Sequence, residues 1–186
     1  MRPIGYMAKR IVAGPDWLKV ESVADIYSVS ACVSANFTEY VDAWKHNGYW
    51  LFDSPEIIEE LARVKGVELS TTTLFYYEAY ELEYDETTRQ WSAFAPEPSL
   101  VTNVSEPDTK QIEGFDVVSF WARTTPECSP LSCCSVAGDV PVNSHCLFKT
   151  FDEAKEALER GVFDKTEPGP FRILAVYTVT RHPGTA

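Results

Sequence analysis

Residues 74–84 constrain the fold more than any other part of this sequence. Alternate positions in the stretch are aliphatic or aromatic, and they are Leu74, Tyr76, Tyr80, Leu82 and Tyr84, with Glu78 as the single ionisable member. Side chains of an extended strand alternate between two faces, so this period of two predicts a long β-strand with one face in a core. The opposite face changes from apolar to acidic halfway along, which indicates that part of the strand leaves the core.

Five further segments are predicted as strands, because they alternate with a period of two or are rich in Val, Ile and aromatic residues. They cover residues 26–33, 49–52, 91–94, 115–123 and 171–180. The polar stretch between Asp85 and Gln90 is typical of a turn. We therefore expect residues 91–94 to pair with the end of the long strand as a hairpin.

Three helices are predicted from capping residues that precede amphipathic spacing. Their expected spans are residues 36–47, 54–66 and 150–161. Pro55 suits the first turn of the second helix, and Thr150 with Glu153 forms a capping box in the third. Glycines at 66 and 161 mark where these two helices end.

The second and third helices are introduced by similar residues. Leu51-Phe52-x-Ser54-x-Glu56 matches Leu147-Phe148-x-Thr150-x-Asp152, and each is followed by a helix, a glycine and an aromatic-bearing strand. If the strands that flank each helix lie in one sheet, a parallel pair joined by a right-handed crossover is expected. The alternative is that two short units use the same capping residues by chance.

Together these elements predict an α+β protein, with a mixed, mostly antiparallel sheet of about five to seven strands and three short helices packed on it. A chain of this length can bury roughly 70% of its unfolded surface, so it needs no covalent staples. One domain is expected over residues 1–186, with loosely ordered ends at 1–15 and 181–186. Residues 124–146 are expected as a long cysteine-rich loop.

The charge balance favours some classes of partner over others. With 16 basic and 28 acidic residues, the formal net charge is −12, and such a field repels phosphate backbones and anionic membranes. Nucleic acid and membranes are therefore not expected as partners, whereas a basic protein would be attracted. No apolar stretch has the length of a signal peptide core or a membrane-spanning helix, which predicts a cytoplasmic protein. The sequence does not indicate an oligomeric state.

The densest set of reactive side chains lies in and just after the cysteine-rich loop. Its members are Cys128, Cys133, Cys134, His145 and Cys146. In a reducing compartment free thiols that pack in the interior are the main interpretation, and no cofactor is expected. A metal site is an alternative, although adjacent residues such as His145 and Cys146 point to opposite faces of an extended backbone. A redox thiol pair and a cysteine nucleophile with His145 as its base are the others.

Glu78 is the candidate catalytic residue. A carboxylate held among aromatic side chains has a raised pKa and could act as an acid or a base, so an enzyme with a Tyr-lined pocket around Glu78 is one interpretation. The structural alternatives are a pairing with Arg123 or Arg172, or exposure on an edge. The glycine-rich phosphate loops and the hydrolase nucleophile motif are absent from the sequence.

Acidic residues at the end of the long strand offer a candidate protein-binding surface. They are Glu81, Glu83, Asp85 and Glu86, with Glu56, Glu59 and Glu60 on the preceding helix. A solvated surface has the same appearance. The leading functional interpretation is a non-enzymatic, acidic protein-binding protein of the inhibitor or immunity type. The alternatives are a metal- or thiol-dependent protein that uses the loop at 128–146, and the enzyme around Glu78.

Two neighbouring segments resemble a stretch found in small, uncharacterised cytosolic proteins of bacteria. They are Glu127-Cys128-Ser129-Pro130-Leu131-Ser132-Cys133 and Asn143-Ser144-His145-Cys146-Leu147. The resemblance covers about twenty of the 186 residues. It implies a bacterial, cytosolic origin, and it implies no activity, substrate or site.

Overall fold

The structure, a computed structural model, describes residues 1–14, 16–30, 47, 49–94, 103–120 and 128–180. Its strands are β1 (Arg2–Lys9), β2 (Val12–Ala13), β3 (Asp25–Ile26), β4 (Thr73–Ala79), β5 (Leu82–Asp85), β6 (Gln90–Ala93), β7 (Gln111–Ser119) and β8 (Phe171–Thr178). Its helices are α1 (Pro55–Lys65), α2 (Pro130–Cys133) and α3 (Phe151–Glu159), with a 3-10 turn at Val136–Gly138. Among the described residues, none of these helices has the length and apolar character to cross a membrane.

One six-stranded sheet forms the centre of the fold. Its order is β1-β4-β8-β5-β6, and β7 pairs with the other side of β8, while β2 and β3 form a separate two-stranded sheet. The predicted α+β class is confirmed. Every pairing between described strands is antiparallel, so the sheet is not mixed. Strand β8 is buried over its first seven residues because it has neighbours on both sides.

Two of the predicted helices are confirmed. In α3 the Thr150 hydroxyl accepts the Glu153 amide, and the Glu153 carboxylate accepts the Thr150 amide, which is the predicted capping box. Helix α1 follows Ser54 with Pro55 in its first turn and ends at Gly66, as predicted. The predicted helix at 36–47 lies outside the described residues except for Asn47. The short helix α2 was not predicted.

The long strand predicted at 74–84 is present with one interruption. Strands β4 and β5 lie along the same edge of β8, and their pairing with β8 moves by two residues between Ala79↔Leu174 and Tyr84↔Phe171. A shift of two preserves the alternation of faces, so Tyr84 still points into the core with 2% of its surface exposed. Strands β5 and β6 form the predicted hairpin.

The N-terminus differs from the expectation of loose order at 1–15. Strand β1 pairs with β4 along its whole length, and Ile4, Met7 and Ala8 are at most 1% exposed. The strand was not predicted from the sequence for two reasons. A register irregularity at Gly5 interrupts its alternation, and Lys9 at its end is charged although it is buried.

Three other segments also differ from their predictions. Within 26–33, only Ile26 belongs to a strand, and residues 31–33 lie outside the described part of the chain. Residues 49–52 form a tight turn with a single bridge to β1, not a strand. The loop expected at 124–146 contains α2 and the 3-10 turn, and its first residues, 124–127, are not among those described.

Two units of the chain share one architecture. In the first, β1 is followed, beyond β2 and β3, by a turn that contains Asn47 and residues 49–52, and then by helix α1 and strand β4. In the second, β7 is followed by a turn at 143–148, helix α3 and strand β8. Because β1 pairs with β4, β7 with β8 and β4 with β8, the two units meet at the centre of the sheet.

The two turns are built by the same hydrogen bonds. The side-chain amides of Asn47 and Asn143 each donate to the carbonyl of the residue before a strand glycine, at 2.8 and 2.7 Å. The Oδ1 atom of each asparagine accepts backbone amides from the residues two and four positions later. These glycines, Gly5 and Gly114, have φ of +139° and +151°. The similar residues around 51–56 and 147–152 therefore mark a structural repeat.

An approximate twofold axis relates the two units. Tyr77 pairs with Gly5 in the first unit and Val176 pairs with Gly114 in the second, so Tyr77 and Val176 hold corresponding positions. Tyr77 and Val176 also pair with each other. The axis passes through this pair. The parallel pairing that was expected between the segments before and after each helix is not found among the described residues. Strand β1 lies between Phe52 and β4, and strand β7 lies between Phe148 and β8.

Candidate functional site

A cavity of about 490 Å³ lies at the N-terminal end of α1. Its walls are the first turn of α1 from Ser54 to Glu59, Tyr6 and Leu74 of the sheet, residues 105–109, and residues 179–180. The Tyr6 hydroxyl donates to the Ser105 carbonyl at 2.6 Å, which ties the strand to the opposite wall. The cavity is therefore a built feature between a helix, a sheet and a loop.

Four carboxylates line this cavity. They are Glu56, Glu59, Glu106 and Asp108, and the described lining residues include no Lys or Arg. Burial raises the pKa of the Tyr6 hydroxyl to about 12, with the charges of Glu56 and Glu106 adding to the shift. The part of the pKa shift that comes from these carboxylates is the effect of a negative local potential.

The repeat explains why the cavity exists. Tyr80 donates its amide to Ile173, and Val179 donates its amide to Leu74 in the same position of the other unit, at 3.1 and 3.0 Å. Tyr80 follows β4, and its ring stacks on Phe151, the first residue of α3 in the second unit, with 4.0 Å between ring centroids. Val179 follows β8, and it takes the corresponding position beside the first turn of α1 in the first unit. The smaller side chain leaves open the space that an aromatic ring fills in the other unit.

Glu78 does not line the cavity, but its contacts fix the cavity wall that residues 105–109 form. Its Oε1 atom accepts from the Lys110 ammonium at 2.6 Å and from the Tyr76 hydroxyl at 3.1 Å, and its Oε2 atom accepts from the Tyr177 hydroxyl at 2.9 Å. Lys110 also donates to Glu106 of the cavity wall at 2.5 Å. The ion pair thereby fixes residues 106–110 against β4 and β8.

The protonation state of Glu78 differs from the sequence expectation. Burial pushes the pKa of Glu78 upward, but the hydrogen bonds from Lys110 and Tyr177 and the Lys110 charge outweigh it, so the pKa lies below its usual value. The same contacts raise the pKa of Lys110 despite burial that lowers it. Both groups are charged at neutral pH, which suits a structural ion pair better than an acid or base. Of the two predicted partners, Arg172 pairs with Glu83 instead, and Arg123 lies outside the described residues.

The four acidic residues of the predicted binding surface each have a partner within the chain. Glu81 pairs with Arg2 at 2.9 Å, and Glu83 pairs with Arg172 at 2.6 Å. Asp85 accepts the amides that follow it in its turn, which lowers its pKa, and Glu86 accepts the Gly169 amide at 2.9 Å. The carboxylates that lack such a partner among the described residues lie instead around the cavity: Glu56 and Glu59 were noted in the sequence, and Asp108 was missed. Glu106, also missed, lines the cavity but pairs with Lys110.

The four cysteines that the structure describes do not converge on one point. Cys128 and Cys134 are in contact, whereas Cys146 is buried in the core, and Cys32 lies outside the described residues. No group of three or more His, Cys, Asp and Glu side chains is placed to hold a metal ion among the residues that the structure describes. Burial, with smaller contributions from Asp116 and Cys133, raises the pKa of the Cys146 thiol to about 12.

His145 is held by residues from a distant part of the sequence. Its Nδ1 atom lies 2.6 Å from Asp25 Oδ1, its Nε2 atom lies 3.8 Å from Glu113 Oε2, and its ring stacks on Tyr27 at 4.1 Å. An aspartate that orients an imidazole is one part of a catalytic dyad. The neighbouring thiol, Cys146, is buried and protonated, so the pair lacks this nucleophile.

A buried Lys9 and Asp116 clamp the segment at 28–30. The Lys9 ammonium donates to the carbonyls of Ser28, Val29 and Ser30 at 2.5, 2.7 and 3.2 Å, and Asp116 accepts the Val29 amide at 2.8 Å. Burial raises the pKa of Asp116 to about 6, against the opposing effects of the Val29 amide, the Ser129 hydroxyl and the Lys9 charge. Neither residue was singled out in the sequence, because nothing local indicates that two charged residues 107 positions apart bind the same buried segment.

Asp116 should make stability depend on pH. Because the pKa of Asp116 is raised on folding, its favourable contribution is complete below the unfolded pKa and is lost as the pH rises through 6. The quantity to compare is the free energy of unfolding of Asp116→Asn minus that of the wild type. We expect this difference to increase by about 2 kcal/mol between roughly pH 4 and 7. Denaturant unfolding across this range measures it. A flat difference, or one that falls with pH, would contradict the assignment.

Comparison of the chain with protein-family models, curated protein sequences and solved structures gave no match.

Proposed function

We propose that this protein is a non-enzymatic binding protein whose acidic cavity receives a Lys or Arg side chain of a basic partner protein. The observation that carries the proposal is the cavity of about 490 Å³ lined by Glu56, Glu59, Glu106 and Asp108. A cationic group there would gain from several carboxylates at once. The formal net charge of −12 would also speed the approach of a basic partner.

The balance of charges at the cavity favours a cation over an anion. The N-terminus of α1 contributes about half a positive elementary charge, and Glu56 in its first turn already offsets that. Lys110 adds one positive charge, which is shared between Glu78 and Glu106. Among the described residues, the remaining carboxylates outweigh both contributions.

The shape of the cavity supports a long side chain with an apolar stem. Pro55, Pro107 and Val179 are partly exposed and supply apolar surface, and the carboxylates stand at the exposed α1 and 106–108 walls. Lys and Arg side chains bury their methylene stems against apolar surface and keep the charged head among polar groups. The open place beside α1, which corresponds to the one that Tyr80 fills beside α3, is thus suited to a residue from outside the chain.

The interaction can be measured with an acetylated, amidated hexa-arginine peptide. The double variant Glu56→Gln with Glu59→Gln should bind the peptide roughly tenfold more weakly, because each exposed ion pair contributes up to about 1 kcal/mol. Isothermal titration calorimetry gives the affinities. Binding should also weaken between about 50 and 300 mM salt, since screening acts on exposed charges.

A second double variant serves as the control. Glu60→Gln with Glu21→Gln removes the same charge from exposed positions that do not line the cavity. An equal loss of affinity in both double variants would show that only net charge matters and would refute the proposed site. Spermidine is titrated in parallel, and binding of spermidine as tight as that of the peptide would contradict a protein partner.

A further inference from the structure

The thiols of Cys128 and Cys134 meet at the base of the cysteine-rich loop. Their sulfur atoms are 3.8 Å apart, Cys128 is 5% exposed, and Cys134 is exposed. We propose that these two residues are a redox modification site that forms a reversible disulfide when a peroxide reaches Cys134. This inference is independent of the proposed binding function.

The backbone holds both cysteines in place for this reaction. The Cys128 carbonyl accepts the Ser119 amide at 2.9 Å, which anchors Cys128 to the end of β7. The helical turn of α2 then reverses the chain, and the Cys134 amide donates to the Pro130 carbonyl at 3.1 Å. A disulfide has an S–S length of about 2.05 Å, so the sulfur atoms must approach by less than roughly 2 Å. The exposed Cys134 side chain can supply that movement.

The other described cysteines are poorer partners. Cys146 is 1% exposed and its thiol has a pKa of about 12, so it remains protonated and out of reach of an oxidant. Cys133 is adjacent to Cys134, and a disulfide between adjacent residues requires a strained ring. The turn of α2 places Cys134 against Cys128.

The chemistry balances with hydrogen peroxide as the oxidant. The Cys134 thiol releases its proton, and the thiolate attacks one peroxide oxygen. The O–O bond breaks, the departing hydroxide takes up the released proton, and the products are a sulfenic acid and water. The Cys128 sulfur then attacks the Cys134 sulfur, the S–O bond breaks, and a second water leaves with the remaining protons. Two electrons pass from the two sulfurs to the peroxide, and a dithiol reductant reverses the change.

Oxidation would fix the α2 turn to the end of β7. The turn already packs into the core through Leu131, while Cys134 faces solvent. A bond between Cys128 and Cys134 would close a short loop and remove the opening motions of that turn. The oxidised protein should therefore unfold at a higher temperature than the reduced protein.

Mass spectrometry of the intact, peroxide-treated protein tests the site. We expect the count of free thiols to fall from five to three, with one linked peptide pair containing Cys128 and Cys134, and a dithiol to restore all five. Cys134→Ser should form no disulfide, whereas Cys146→Ser should still lose two thiols. A link that involves Cys133 in place of Cys128, a link between two chains, or oxidation of Cys134 to a sulfinic acid without a link would each overturn the proposal.

Discussion

Replacing Gly114 by alanine is expected to lower the free energy of unfolding by about 3 kcal/mol or more, from backbone strain and overpacking together. Gly114 has φ of +151°, a conformation that residues with a side chain rarely adopt. A Cβ atom there would lie 2.6 Å from the Phe148 carbonyl oxygen and 2.8 Å from Leu147 Cβ. The melting temperature should fall by roughly 10 °C.

The repeat supplies a duplicate for this result, and Gly138 supplies a control. Gly5→Ala should be similarly destabilising, because its Cβ would lie 2.6 Å from Leu51 Cβ and 2.9 Å from the Phe52 carbonyl oxygen. Gly138→Ala meets nothing within 4 Å and should change stability by less than about 1 kcal/mol. If Gly114→Ala were as mild as Gly138→Ala, the close contact between strand and turn would be wrong.

Lys110→Met is expected to cost about 3 kcal/mol at neutral pH, because it leaves the Glu78 carboxylate buried without its cation. The Glu78 side chain is 7% exposed and that of Lys110 is 21% exposed, so solvent screens the pair only in part. Thermal and denaturant unfolding measure the loss. Lys155→Met is the matched control, since its exposed pair with Glu159 at 3.5 Å should contribute less than about 0.5 kcal/mol.

The effect of Lys110→Met should depend on pH in a defined direction. The pKa of Glu78 is lowered on folding, so its contribution is present above the unfolded pKa and is lost as the pH falls through the folded one. The loss caused by Lys110→Met should therefore shrink in acid, where Glu78 is protonated in both states. Combining it with Glu78→Gln should restore part of the lost stability. An unchanged loss in acid would contradict the ion pair.

The elements that the sequence predicted well are those with local signals. The capping box at Thr150 and Glu153, the Ser54-Pro55 start of α1 and the alternation in β8 each depend on residues close together in the chain. These signals sufficed for the α+β class. Strand β1 was missed because its register irregularity at Gly5 breaks the period of two on which strand prediction relies.

The candidate site could be predicted only in part. The acidic first turn of α1 is visible in the sequence, and Glu78 was recognised as unusual among aromatic neighbours. Its partner Lys110 is 32 residues away, and the correspondence of Val179 with Tyr80 follows from strand register, which the sequence does not display. The cavity arises because Val179 is smaller than Tyr80 at the corresponding position, and no local pattern of the sequence indicates that the two positions correspond.

The binding of the hexa-arginine peptide to Val179→Tyr tests the central claim most directly. This variant keeps all four cavity carboxylates and places at residue 179 the side chain that fills the corresponding space in the other unit. We predict a fall in affinity of at least about tenfold with no loss of thermal stability, because a ring over Pro55 would exclude a cationic side chain. Unchanged affinity in a folded Val179→Tyr protein would contradict the account, since the peptide would then be bound elsewhere on the acidic surface.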